Sequence, residues 1–450
     1  MCEGPVPKNF IPFFDQAACT MELLGEPHSL EGGVVVQNCR FHCTDGIRLT
    51  GQRWTVAAST TSETTTTSAS LRILCWHGYM DNCRSFAALA PRLVRDLGSR
   101  NSSNSNSNIS RTTTTTPVEL IAMDFPGHGQ SSHKSRDHPP FSLISDLVVY
   151  MAQVAQLLQW QTFHLMGHSM GAIVSVMYAG TFPEQISQLI LLDGFGPDFE
   201  RPDRVVGRLK QHLETRYAMN AVRNNNSSIP TTTTTPIANR KQGGGRHDSD
   251  SSAAMDAFSS LSAPAAAAAS SSTLSSASSS NHPPATAKSK TKRIYRTIED
   301  AIRTRQQTAI KSPGDQWISY EATKEMVEWA LEPATATTTT IMNGDDDGGW
   351  TFRHDPRLHW PALQAHTLEQ AFDFWKSLQT GKVPTLWLRA EHGWPYSTKW
   401  LDRAEAYLGE NLITIRTLEG SHHFHADPET VDAVAATILE HFIVPSPSNT

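Results

Sequence analysis

The sequence predicts an α/β fold, a mostly parallel sheet of eight strands flanked by helices on both faces. Short apolar runs rich in branched residues alternate with segments of helical periodicity. A parallel sheet needs that order, because every crossover must travel back along the sheet. The runs are apolar on consecutive residues, as strands buried on both faces are. A glycine-bounded turn, Gly167-His168-Ser169-Met170-Gly171, joins one such run to the next helical pattern.

Taken in order, Gly33-Val36 and Arg40-His42 open the strand pattern and Ile47-Val56 follows. Then come Leu71-Trp76, Val118-Met123, Thr162-Met166, Leu189-Leu192, Val383-Leu388 and Leu412-Ile415. Between them, Ile144, Leu147, Val148, Met151, Val154, Ala155 and Leu158 recur at helical spacing, with Ser142 as candidate N-cap and Asp146 in the first turn. A second helix is expected from Met170 to about Thr181, where Pro183 stops it, and a third from Pro428 to Phe442.

The alternation breaks at Gly194 and resumes near 381. Residues 1–194 and 381–450 are therefore expected to form the core, and 195–380 an inserted helical lid carrying Trp317, Trp329, Trp350, Trp360 and Trp375. Stretches near 58–70, 99–116, 223–291 and 333–348 are dominated by Thr, Ser, Asn, Ala or Gly. Of these, 223–291 is expected to be disordered, since such a tract cannot bury enough apolar surface to offset its chain entropy. Without these stretches roughly 330 residues of ordinary composition remain, enough for one large core with a lid. The basic cluster Lys288, Lys290, Lys292 and Arg293 reads as a solvated charge run.

Of the chain's 450 residues, charged groups of both signs are well mixed, with a formal net charge of -6. That field is too weak to imply nucleic acid or a membrane surface as partner, so a small-molecule substrate is expected. The cysteines at 2, 19, 39, 43, 75 and 83 show no paired spacing of the kind that binds zinc. The N-terminus lacks a basic region followed by an apolar run, no run reaches the ~20 apolar residues of a membrane span, and Ser448-Asn449-Thr450 is not a peroxisomal address. Reduced thiols in the cytoplasm are the default expectation.

Chemistry concentrates at a few strings. In Gly167 to Gly171 the glycines let the chain turn sharply, so that Ser169 stands at a helix N-terminus whose dipole favours a developing anion. A free serine hydroxyl is a weak nucleophile and needs a base. Upstream, Trp76-His77-Gly78-Tyr79-Met80-Asp81-Asn82 and Asp124-Phe125-Pro126-Gly127-His128-Gly129-Gln130-Ser131 each follow a predicted strand; downstream, Glu419-Gly420-Ser421-His422-His423-Phe424-His425-Ala426-Asp427 follows the last one.

These four strings, in this order, resemble the α/β-hydrolase fold family, over about residues 40–196 and 381–445. Within it the chain looks most like the serine hydrolase-like proteins. The resemblance implies a nucleophile elbow at Ser169 and a base at His422, with His423 and His425 packing or facing solvent. It implies oxyanion donors in the Met170 and Tyr79 amides, a structural role for His77, and scaffolding for the Asp124 loop. No metal or cofactor is expected. Many members place the triad acid in a G-x-x-D string, but here the corresponding position is Gly393. Asp193, at the end of the strand after the nucleophile helix, is the alternative preferred, and Glu391 the other. A serine at 169 argues against the dehalogenases and epoxide hydrolases of the family, which use an aspartate. The expected activity is therefore acyl transfer from a carboxylic ester or related substrate through an acyl-enzyme. A ligand-binding receptor that retains the triad but turns over slowly is one alternative, and a degenerate scaffold protein, motivated by Gly393, is the other.

Overall fold

The computed structural model describes residues 20–56, 71–99, 117–135, 144–197, 204–227, 293–334, 348–360, 366–396, 398–409 and 411–443. Ser142, most of the four low-complexity stretches, Lys288, Lys290, Lys292, Cys2, Cys19 and the C-terminal tripeptide lie outside them.

Among the described residues the main sheet has nine strands rather than eight. They are β1 (Thr20–Ser29), β2 (Val34–His42), β3 (Arg48–Val56), β4 (Leu71–Trp76), β5 (Val118–Met123), β6 (Phe163–His168), β7 (Ile186–Leu192), β10 (Thr385–His392) and β11 (Ile413–Ser421), with β8 (Leu331–Pro333) and β9 (Trp350–Phe352) forming a separate pair. The two opening runs are one strand, β2, because Gln37 and Asn38 continue the pairing with β3. The added strand, β1, is an edge strand whose side chains are mostly exposed, so it carries no apolar run to find. Across the sheet the order is β1-β2-β3-β5-β4-β6-β7-β10-β11. The pairs from β1 to β5 are antiparallel and those from β5 through β11 are parallel. The parallel part puts the C-terminal ends of β4, β6, β7, β10 and β11 on one edge, where ligands of open α/β sheets bind.

The helices are α1 (Leu89–Ser99), α2 (Asp146–Leu158), α3 (Met170–Thr181), α4 (Val205–Ser227), α5 (Ile298–Ile310), α6 (Tyr320–Ala330), α7 (Leu368–Thr380), α8 (Thr398–Leu408) and α9 (Val431–Glu440). Helix α3 spans the expected residues, and eleven of its twelve, Met170 to Gly180, are buried. One face of the sheet packs Trp76, Met123, Leu165 and Leu191 against Leu147, Met151, Val174 and Met177 of α2 and α3. The other packs Ile73, Leu120, Ile190 and Leu388 against Leu93 and Val94 of α1 and Val434 and Ile438 of α9. Of the tryptophans between 195 and 380, Trp375 is fully buried in the first of these clusters and Trp329 belongs to the second.

The inserted segment is tied to the strand-end loops by specific bonds. Trp329 Nε1 donates to Asp124 Oδ2 at 2.8 Å, Asn82 Nδ2 donates to the Met326 carbonyl at 2.9 Å, and Ser421 Oγ exchanges hydrogen bonds with the Trp317 backbone. Asp124, buried, also accepts from the Cys83 and Gln130 amides at 2.6 and 2.8 Å. Its carboxyl is pushed up to about 6 by burial, against those donors. These bonds tie the turn after β5 to the loop after β4 and to α6.

Seven buried histidines, at 77, 128, 164, 168, 366, 423 and 425, are held below the ordinary imidazole range, chiefly by burial, with His77 and His164 at about 3 and His128 and His423 at about 4. Each folded pKa lies below the unfolded value of about 6.5, so the unfolded chain binds more protons as the pH falls. The stability they contribute is present above about pH 6.5 and is lost as the pH falls toward 4. Urea titrations are expected to show several kcal/mol lost between pH 7 and pH 5, a loss that a pH-independent midpoint would refute.

Candidate active site

Ser169 stands between β6 and α3 as the helix N-cap, with φ 50° and ψ -117°, a conformation that costs a side-chain-bearing residue about 1–3 kcal/mol. Three bonds hold it there: its amide donates to the Leu192 carbonyl at 3.0 Å, and its carbonyl accepts from the Ala172 and Ile173 amides at 3.0 and 3.1 Å. The two glycines of the turn are needed for space. A Cβ on Gly171 would strike the Trp76 and His77 carbonyls, and one on Gly167 would strike the Gly171 backbone. Met170 opens α3 and so carries one of the first N–H groups, which a helix leaves without an internal partner.

The loop after β4 passes directly beside this turn. A Cβ on Gly78 would lie 3.1 Å from Ser169 Cβ and 2.9 Å from His168 Nδ1, which brings the Gly78-Tyr79 backbone alongside Ser169. His77 fixes that loop: its Nε2 accepts from the Phe125 amide at 3.0 Å and its Nδ1 faces the Gly78 carbonyl at 2.6 Å. An acceptor at Nε2 and a donor at Nδ1 define a neutral imidazole, consistent with the burial that depresses its pKa.

His422 sits in the loop after β11, and its Nδ1 meets Asp193 Oδ2 at 2.5 Å. Asp193 follows β7 with φ 41° and is buried. Besides His422 it accepts from the Ala390 amide at 3.1 Å and the Trp394 amide at 2.8 Å. Glu391, the other carboxylate considered, is exposed near the end of β10. The absence of an acid at 393 has a steric counterpart: a Cβ on Gly393 would lie well inside contact distance of both Asp193 carboxylate oxygens. Glycine at 393 therefore makes the room that Asp193 occupies.

His423 and His425 do not face solvent; both are buried. The His425 ring lies 4.2 Å from that of His168, and His423 Nε2 reaches Asp81 Oδ2 at 3.0 Å. Asp81 and its ion-pair partner Arg305, with Nη2 2.7 Å from Oδ1, are polar residues at this site to which the sequence assigned no role. Asp81 stands in the string after β4, but nothing in that string reveals a partner 224 residues away.

A sequence profile of the α/β hydrolase fold matches residues 72–394. The chain belongs to the α/β-hydrolase fold family. The serine hydrolase-like protein of Homo sapiens is 36% identical over 121 residues, covering 27% of this chain and 48% of that protein. A serine hydrolase-like protein of Dictyostelium discoideum is 28% identical over 182 residues, 40% of this chain and 41% of its own length. Each match thus spans about half of the relative or less. Among solved structures, a hypothetical protein from Pseudomonas aeruginosa superposes with a TM-score of 0.55 at 24% identity, over 88% of this chain and 95% of that one. That likeness is one of fold. No helix among the described residues is long and apolar enough to cross a membrane.

Proposed function

We propose that this family member is a serine hydrolase acting on a carboxylic ester or related acyl substrate, with Ser169 as nucleophile, His422 as base and Asp193 as acid. The bond between His422 Nδ1 and Asp193 Oδ2 carries this reading. It leaves Nε2 of the same ring as the position that can take a proton, and Asp193 stabilises the imidazolium that results. Two backbone N–H donors on Asp193 keep its carboxylate aimed at the ring.

In this mechanism His422 takes the hydroxyl proton as Ser169 Oγ bonds to the carbonyl carbon, and the carbonyl electrons move onto oxygen. The Met170 and Tyr79 amides receive that oxyanion. Collapse breaks the bond to the leaving alcohol, which takes the proton from His422 and leaves an acyl-Ser169 ester. Water, deprotonated by His422, repeats the sequence and releases the acid. Residues 195–380 would serve as the lid over this edge of the sheet, and esters of apolar acyl groups are the substrate class to screen.

Stopped-flow mixing with an activated p-nitrophenyl ester checks the covalent step. A burst of nitrophenol stoichiometric with enzyme, together with an acyl adduct on Ser169 by peptide mass spectrometry, is expected. Turnover with neither burst nor adduct would argue for direct attack by water.

A further inference from the structure

Behind the nucleophile turn lies a buried polar cluster that the triad does not use. Its centre is Asp81, whose side chain is 2% exposed. Arg305, on the inserted helix α5, donates to Asp81 Oδ1 at 2.7 Å. Asp81 Oδ2 accepts from His423 Nε2 at 3.0 Å, while His168 Nδ1 stands 3.5 Å away without a hydrogen bond. His168 Nε2 in turn donates to the backbone carbonyl of His422 at 2.9 Å. Four segments distant in sequence, the loop after β4, the nucleophile turn, the base loop and the inserted helix, thus meet at one carboxylate. The ligand atoms of Asp81, His168 and His423 lie within 4.8 Å of one another, a spacing that a metal ion accepts. Arg305 Nη2 is already against the same carboxylate and 3.4 Å from His423 Nε2, so the positive charge is supplied by the chain itself.

We propose that Arg305 is a positioning residue for acyl transfer: by pairing with Asp81 it fixes, through His423, the loop that carries His422 against the loop that carries the Tyr79 amide. This rests on the serine-hydrolase reading above. Burial holds His168 and His423 below the ordinary imidazole range, so at neutral pH they act as uncharged groups. Burial also opposes ionisation of Asp81, but its histidine and arginine neighbours outweigh that and hold it well below the usual carboxylate range. Arg305 is the permanent cation among those neighbours. Without it the buried carboxylate must recruit a proton, and the rings against it are His168 and His423, with the His425 ring tilted 40° at 4.2 Å from His168 and His77 and His128 within its field. The uncompensated carboxylate charge then favours protonation of the rings beside it at higher pH. Docking of the inserted segment therefore sets both the geometry and the ionisation of the site.

The test is the rate of fluorophosphonate labelling as a function of pH for the wild type, Arg305→Met, Arg305→Gln and Arg305→Lys, alongside nitrogen-15 spectra of the histidine rings. The Met variant is expected to label about 10- to 100-fold more slowly at pH 7. Its acid limb should move to higher pH, with a newly titrating histidine in the spectra. Arg305→Lys should restore the limb and most of the rate. If the Met variant does not fold, Arg305→Gln carries the same expectation, since it keeps a donor and loses the charge. Wild-type rate, limb and spectra in the uncharged variant that folds would overturn the inference alone. A wild type that labels at no pH would overturn the serine-hydrolase reading and this inference with it.

Discussion

Asp193→Asn is expected to lower kcat by about 10⁴-fold while leaving the protein folded, because the amide keeps the shape but presents an N–H₂ or a neutral oxygen to His422 Nδ1. The imidazole is then held in the wrong tautomer, or its protonated form loses its counter-charge. The backbone bonds from Ala390 and Trp394 can still be accepted by the amide oxygen one at a time, so the fold cost is confined to about 1–3 kcal/mol. Glu391→Gln is expected to change the rate less than threefold, since that side chain is exposed. Steady-state kinetics on the two variants decide the matter; equal losses would remove Asp193 from its assigned role.

The second large effect is expected at Gly393. Any side chain there collides with the Asp193 carboxylate, so Gly393→Asp adds both a steric clash and a like charge at the position that orients His422. Activity should fall by about 10³-fold or more. The collision also shows that a carboxyl borne by 393 would occupy nearly the same space as that of Asp193. Asp193 has a positive φ, which glycine adopts without strain, so the double variant Asp193→Gly with Gly393→Asp moves the acid from one strand end to the next. It is expected to recover at least tenfold over Asp193→Gly alone. A double variant no better than the single one would mean that the two positions cannot serve the same ring.

These two positions mark where the sequence was sufficient and where it was not. Ser169 was legible because its turn is local: a strand, two glycines that the backbone cannot do without, and a helix, all within a few residues. His422 was legible by order along the chain, but choosing it over His423 and His425 needed the family resemblance, since three nearby histidines look alike until one is seen against Asp193. The proposed acid, Asp193, was visible only as an aspartate before a glycine, a common turn signal. What separates Asp193 from Glu391 is the space cleared at Gly393, which is a three-dimensional fact. Strand β1 escaped notice because an edge strand need not be apolar, and β2 was read as two pieces because its polar middle keeps its hydrogen bonds on a ladder that periodicity does not report. The pairing of Asp81 with Arg305 was beyond reach, because the helix that brings Arg305 lies far along the chain and an exposed-looking arginine carries no sign of a buried partner.

The central claim, an activated serine at 169 served by His422, is tested most directly by intact-mass analysis after exposure to a fluorophosphonate. One adduct on the wild type, none on Ser169→Ala and a rate reduced by orders of magnitude on His422→Ala is the result the account predicts. A folded wild type that takes no adduct, or an Ser169→Ala variant that labels as fast, would contradict it.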